Sequence, residues 1–127
     1  MLSQSKLQPI IWTSRIDQAE MFYREVLGLS LQSKSDGALV FNVGGGDLRV
    51  SPVPSTVPSE HTVLGFSVSD VDSAVDFLRK REVAIERFEG FPHNEDGILT
   101  TPDGSKVAWF RDPDGNLLSV VEYPSQN

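Results

Sequence analysis

Apolar residues along this chain come in short bursts that alternate with polar ones, and only twice do they fall into helical spacing. The bursts are PIIWT, LSLQ, ALVFNV and DLRVSPV in the first half, then VLGFSV, VAIERF, GILTT, KVAWF and LLSVVEY in the second. Each is rich in β-branched, aromatic or other large apolar residues and bounded by turn formers, so each predicts a strand. In SRIDQAEMFYREVLG, residues Ile16, Ala19, Phe22, Tyr23 and Val26 make one helical stripe, with Ser14 as the cap and Gly28 as the stop. In SDVDSAVDFLRKR, Val71, Ala74 and Leu78 make another, with Ser69 or Asp70 as the cap. The basic run Arg79-Lys80-Arg81 matches the negative end of that helix's dipole and predicts a solvated terminus.

Asp-Gly pairs at 36–37, 96–97, 103–104 and 114–115 punctuate the strands. They are hairpin signals, because the tightest turns need positive φ. The two helical segments align with each other at an offset of 55, which brings Ser14, Asp17, Ala19, Phe22 and Arg24 onto Ser69, Asp72, Ala74, Phe77 and Arg79. At an offset of 69, Phe41, Gly46, Asp47 and Leu48 meet Phe110, Gly115, Asn116 and Leu117. The chain is therefore an internal repeat of a strand–helix–strand–strand–strand unit. The predicted organisation is one α+β domain over 1–127, with modules at 5–53 and 61–123 and a Pro/Ser-rich linker at 54–60. ERFEGFPHNEDG is an insertion in the second module and predicts a loop over one face. Each helix would cover one face of its sheet, leaving the other faces to curve around a shared cleft, where a ligand is expected.

Length and composition narrow the function. A chain of 127 residues, 39% hydrophobic and 23% charged, is one soluble domain with a core of its own. Neither a signal-peptide core nor a membrane-spanning run is present, which predicts a cytoplasmic protein without membrane partners. The absence of cysteine removes disulfide and thiolate chemistry. A net charge of −7 argues against nucleic acid, whose phosphates need clustered Lys and Arg.

Several segments that suggest chemistry read better as structure. NVGGGDL joins two strands and has no helix behind its glycines, so it predicts a turn rather than a phosphate loop. In DPDGN, a calcium loop starting at Asp112 would need Gly and Glu where Leu117 and Tyr123 stand. His61 falls at the entrance of a strand. His93, in the inserted loop, is placed to contact a ligand. Alternation turns Ile10 and Trp12 away from the first helix, and Trp109 is a second candidate for the cleft wall; both indoles also suit a core or a dimer interface.

A doubled βαβββ unit with FYREVLGL in its first helix and FRDPDGN before its last strand resembles the vicinal oxygen chelate superfamily over residues 7–123. That superfamily contains glyoxalases, extradiol dioxygenases, fosfomycin-resistance enzymes and bleomycin resistance proteins. The resemblance implies tandem βαβββ modules, two curved sheets around a cleft, and frequent homodimers. In the enzymes it implies a divalent metal held by His, Glu or Gln. Carried over by position, those ligands fall on Gln8, Val63, Ser119 and either Val50, by the repeat, or Arg49, by strand alternation. Valine cannot coordinate, arginine is cationic, and serine suits these metals poorly. The expectation is therefore no metal and no other cofactor, a divalent ion being the alternative.

The reading that results is a homodimeric, glyoxalase/bleomycin-resistance-like protein that binds or sequesters a small organic or anionic ligand in an aromatic-lined cleft. The expected lining is Gln8, Trp12, Arg49, Val63, Ser67, His93, Trp109 and Ser119. An inward Arg49 would offer a fork for a carboxylate or phosphate. Two alternatives stay open: an enzyme of the same superfamily, a lyase, dioxygenase or isomerase using a metal or an acid/base such as Arg49, His93 or Glu95, and a protein–protein interaction module.

Overall fold

Alternation in β1 (Ile10–Thr13) buries Ile11 and Thr13 and leaves Ile10 and Trp12 exposed. The buried pair faces α1 (Ile16–Glu20), which continues as a π-helical turn over Met21–Val26 and stops at Gly28 with φ of 77°. Ala19 and Tyr23 are the buried members of the expected stripe, while Ile16, Phe22 and Val26 are half-buried. Tyr23 packs edge-on to Phe22, at 5.3 Å between ring centroids, and tilted on Phe41, at 6.0 Å. Ser14 is not the cap. The N-cap position belongs to Arg15, without a side-chain capping bond; Thr13 Oγ1 accepts from the Arg15 N–H at 3.0 Å, and the Ser14 hydroxyl lies 3.2 Å from that of Thr56. The helix starts one residue later than its capping signal, because the strand's own last hydroxyl has taken over the turn.

Three antiparallel strands complete the first unit: β2 (Ser30–Ser35), β3 (Ala38–Val43) and β4 (Gly46–Pro52). Asp36 and Gly37 both have positive φ, at 52° and 81°, and so do Gly44 and Gly45, at 57° and 86°. These two-residue turns match the twist of the strands they join, so NVGGGDL is a hairpin turn, as its context predicts. The strand order is β1-β4-β3-β2, with β1 parallel to β4. Leu39, Phe41, Leu48 and Val50 lie buried on the helix side.

The second unit repeats the plan. Its strands are β5 (Thr62–Ser67), β6 (Leu99–Thr100), β7 (Lys106–Arg111) and β8 (Leu117–Glu122), in the order β5-β8-β7-β6 with β5 parallel to β8. Its helix, α2 (Val71–Lys80), buries Val71, Val75 and Leu78 against a sheet face that carries Ala108, Phe110, Leu118 and Val120. Ala74, expected in the stripe, is only half-buried, and Val75 takes its place. Asp70 is the cap. The basic helix end is spent on ion pairs, Arg79 to Asp96 and Lys80 to Asp76, and on Arg81 stacked over the Phe77 ring.

VAIERF does not form the expected strand. Only Glu86 pairs, through a single bridge to Trp109. Strand β6 takes the Lys106–Val107 part of the same β7 edge, so the two segments share it. The computed structural model describes residues 1–125, and the backbone divides into two compact units, Met1–Val57 and a second beginning at Pro58. No helix among the described residues is long and apolar enough to cross a membrane.

Candidate functional site

Each sheet has one face that its own helix does not cover, and strand register decides which side chains reach it. In the first unit, Arg49 pairs with Ile10 on one side and Val40 on the other. In the second, Ser119 pairs with Gly65 and Trp109. The two rows, Ile10–Arg49–Val40 and Gly65–Ser119–Trp109, are equivalent places in the repeat. Arg49 is therefore the counterpart of Ser119, while Val50 is fully buried (0% exposed) on the helix side. The sequence offset of 69 points to Val50 because the two turns before the final strands differ in length. Four residues separate the paired Asn42 and Asp47, whereas five separate Arg111 and Leu117. That extra residue shifts the last strand by one, and a shift of one changes faces. Alternation along the strand gives the right answer, and repeat alignment does not.

On the first unit's helix-free face, Ile10 is 54% and Trp12 63% exposed. Arg49 stands half-buried beside them on β4. Its guanidinium leans over β3 and donates from Nη2 to the Ser35 carbonyl at 3.4 Å, a long bond at the end of β2. No carboxylate pairs with it among the described residues, although the chain carries 18 acidic side chains.

The equivalent face of the second unit is furnished differently. Trp109 Nε1 donates to Thr62 Oγ1 at 3.1 Å, so the indole reaches across β8 to β5. Ser119 lies between those strands and is 7% exposed. The inserted loop stacks on the indole, with Phe88 edge-on at 5.2 Å and His93 edge-on at 5.9 Å. Both His93 ring nitrogens are engaged. Nε2 accepts from the Phe88 N–H at 3.0 Å, and Nδ1 lies 2.7 Å from the Gly97 carbonyl. A ring that accepts at one nitrogen and donates at the other is the neutral Nδ1–H tautomer. His93 thus acts first as a staple of its own loop. Asn94 Oδ1 adds bonds from the N–H groups of Asp96 and Ile98, and Arg87 donates to the Glu95 carbonyl.

The remaining expected positions scatter. Gln8 is exposed and precedes β1, whose ladder begins at Ile10. Val63 sits at a register irregularity between Thr62 and Leu64, so the β5 residue beside Ser119 is Gly65. A Cβ added at Gly65 would meet Ser119 Oγ at 3.1 Å. Ser67 is exposed at the end of β5, and His61 is exposed just before it. Two contributors went unforeseen, Thr62 and Phe88. Both act through the Trp109 ring, and nothing in the local sequence ties them to it.

The acidic turn 112–116 is scaffold. Asp112 Oδ1 accepts from the N–H groups of Asp114 and Asn116 at 3.0 and 2.9 Å, and Asn116 Nδ2 donates to Asp112 Oδ2 at 2.8 Å. Arg111 ties the turn down, donating from Nη1 to the carbonyls of Gly115 and Ser59 and from Nε to Glu86. Displaced acidities mark the helices, one turn and the start of β7. The Lys34 ammonium holds Glu20 below the usual carboxylate range, as the Ser73 and Thr101 hydroxyls do for Asp70 and Asp103, and Asp72 raises Lys106.

At the positions where the resemblance implies metal ligands, the first unit has Gln8 and Arg49, an amide and a fixed cation, and the second has Val63 and Ser119, a hydrocarbon and a hydroxyl, none of them a typical ligand of these metals. Among the described residues no group of three or more His, Asp or Glu is placed to hold a metal.

The family model described as the glyoxalase/bleomycin resistance protein/dioxygenase superfamily matches residues 6–120. No curated protein matches the chain significantly. Solved structures similar to it include a glyoxalase family protein from Bacillus anthracis, at 18% identity and a TM-score of 0.75 over 95% of this chain and 96% of that one. A lactoylglutathione lyase from Agrobacterium tumefaciens is similar at 23% identity and a TM-score of 0.69, over 94% and 93% of the two chains. A glyoxalase/bleomycin resistance protein/dioxygenase from Alicyclobacillus acidocaldarius matches at 17% identity and a TM-score of 0.70, over 96% and 93%. At these identities the likeness is one of fold.

Proposed function

The chain belongs to the glyoxalase/bleomycin resistance protein/dioxygenase superfamily, and from that premise we propose that it binds a small organic molecule without a metal or other cofactor. The observation that carries this reading is the first unit's helix-free face, where register sets Ile10 opposite Arg49, with Trp12 two residues further along β1. Large apolar side chains left exposed on a strand, next to a cation without a carboxylate, form a surface suited to a ligand rather than to solvent. The donor set at the superfamily's metal positions supports metal-free binding, since two of its four members have no lone pair to offer. Fold membership alone would not decide between binder and enzyme. The binder reading extends to a cytoplasmic homodimer that takes a small molecule and neither nucleic acid nor membrane; light scattering on the purified protein tests the dimer.

The test of function is a fluorescence titration with 8-anilinonaphthalene-1-sulfonate. Saturable binding is expected, weakened by about tenfold in Trp12→Ala through loss of one aromatic contact, with the melting temperature retained. Absence of saturable binding would sink the proposal. Elemental analysis and assays with methylglyoxal hemithioacetal and catechols separate it from the enzyme reading. Stoichiometric metal together with turnover of either substrate would replace the binder by an enzyme.

A further inference from the structure

The second metal-ligand position of the superfamily holds an arginine here, and its side chain does something no valine or glutamate could do. We propose that Arg49 is a built-in cation, and that the molecule bound on the first sheet is an elongated amphipathic anion: an aromatic or alicyclic body over Ile10 and Trp12, with a carboxylate at its far end on the guanidinium. This rests on the binding reading above and adds to it the chemical class and orientation of the ligand.

Geometry supplies the length. Arg49 starts from β4, between β1 and β3, yet its head reaches the Ser35 carbonyl at the end of β2. Neighbouring strands lie about 4.8 Å apart, so Ser35 lies about two strand spacings from β4, and the head that bonds to it is displaced over β3, on the side away from Trp12. A ligand touching both the indole on β1 and the guanidinium must cross β4 and reach over β3. A compact anion such as phosphate would reach only the arginine, and a flat aromatic without an acid only the tryptophan.

Charge supplies the sign. The long bond from Nη2 to Ser35 uses one donor of a guanidinium that carries five, and no carboxylate of the described residues neutralises it. A charge-assisted pair at this guanidinium is stronger than a neutral hydrogen bond. The same fixed charge repels a divalent ion. The arginine thus explains at one position both why a metal is unsuited and what takes over its attraction for anions.

The experiment uses three probes that share one body: 4-(2-naphthyl)butanoate, its primary amide, and the corresponding amine. Calorimetric titration of the wild-type protein should give an affinity for the acid roughly tenfold above that for the amide, the amine binding weakest, as expected for one charge-assisted pair. Arg49→Gln should bind acid and amide alike, and Arg49→Lys should keep part of the preference, which guards against misfolding of either variant. EDTA should leave acid binding unchanged. Equal affinity of the wild type for acid and amide, or a preference that survives in Arg49→Gln or disappears with EDTA, overturns the role of Arg49 and leaves the binding reading standing. If none of the three probes binds the wild type, both fall together.

Discussion

Gly115 illustrates how a single backbone position fixes the turn that sets the last strand's register. Its φ is +82°, and a Cβ placed there would stand 2.9 Å from Pro58 Cβ and 3.2 Å from Pro58 Cα. Alanine would meet two penalties, a left-handed backbone disfavoured for residues with a Cβ and a contact that the ring of Pro58 cannot easily relieve. Gly115→Ala should therefore lower stability by about 2 kcal/mol, measured by denaturant unfolding. The contrast is Gly45, whose φ is +86° but whose added Cβ would meet nothing within 4 Å; there the loss should be near the conformational part alone, about 1 kcal/mol. Equal losses at both sites would show that the Pro58 contact is immaterial.

At the scale of elements, α2 shows what a cap contributes and how pH should act on it. The Asp70 carboxylate accepts from the Ser73 N–H at 3.3 Å and the Ser73 hydroxyl at 2.9 Å, while Glu122 on β8 accepts from the Val71 N–H at 3.0 Å. The Ser73 hydroxyl in particular holds Asp70 below its ordinary value of 3.8. A depressed folded-state value means that the contribution is complete above the ordinary value and fades as pH falls through the folded one. Asp70→Ala should lower the melting temperature at pH 7 by about 4 °C, and the gap to wild type should close as the buffer is taken below the carboxylate range. A gap independent of pH would mean that the charge plays no part. Much at this scale was legible in the chain: the repeat, both helices, and every strand that has an apolar face to bury. What failed did so for reasons that lie outside a local window. VAIERF has strand composition but pairs only at Glu86, on an edge it shares with β6, and the cap expected at Ser14 passes to Arg15 because Thr13 closes the turn. The choice between Arg49 and Val50, open in the sequence, falls to Arg49 by the pairing register, since one extra residue in the turn 112–116 moves the repeat out of step. The Trp109–Thr62 contact joins residues 47 apart, and no sequence period leads to it.

Across the whole molecule, two units of one plan have diverged on the faces that their helices leave uncovered. The first unit presents Trp12, 63% exposed, with Arg49 nearby; the second has folded its own insertion onto Trp109 and tied it with His93. Duplication supplies two equivalent rows, and an insertion in one of them is enough to make the rows unequal. The two tryptophans, one per unit, let this asymmetry be measured. Acrylamide should quench Trp12, observed alone in Trp109→Phe, several-fold more efficiently than Trp109, observed alone in Trp12→Phe. Replacing His93 by alanine deletes the acceptor of the Phe88 N–H and the donor to Gly97, so the loop loses two of its ties and the indole loses its edge contact. Trp109 should then become markedly easier to quench, while Trp12 is unaffected. Glutamine at 93, which retains one donor and one acceptor, should restore part of the protection. If His93→Ala leaves Trp109 as shielded as before, the loop is held by Glu86, Arg87 and Asn94 without help from the imidazole, and the second face is closed by its backbone rather than by its histidine.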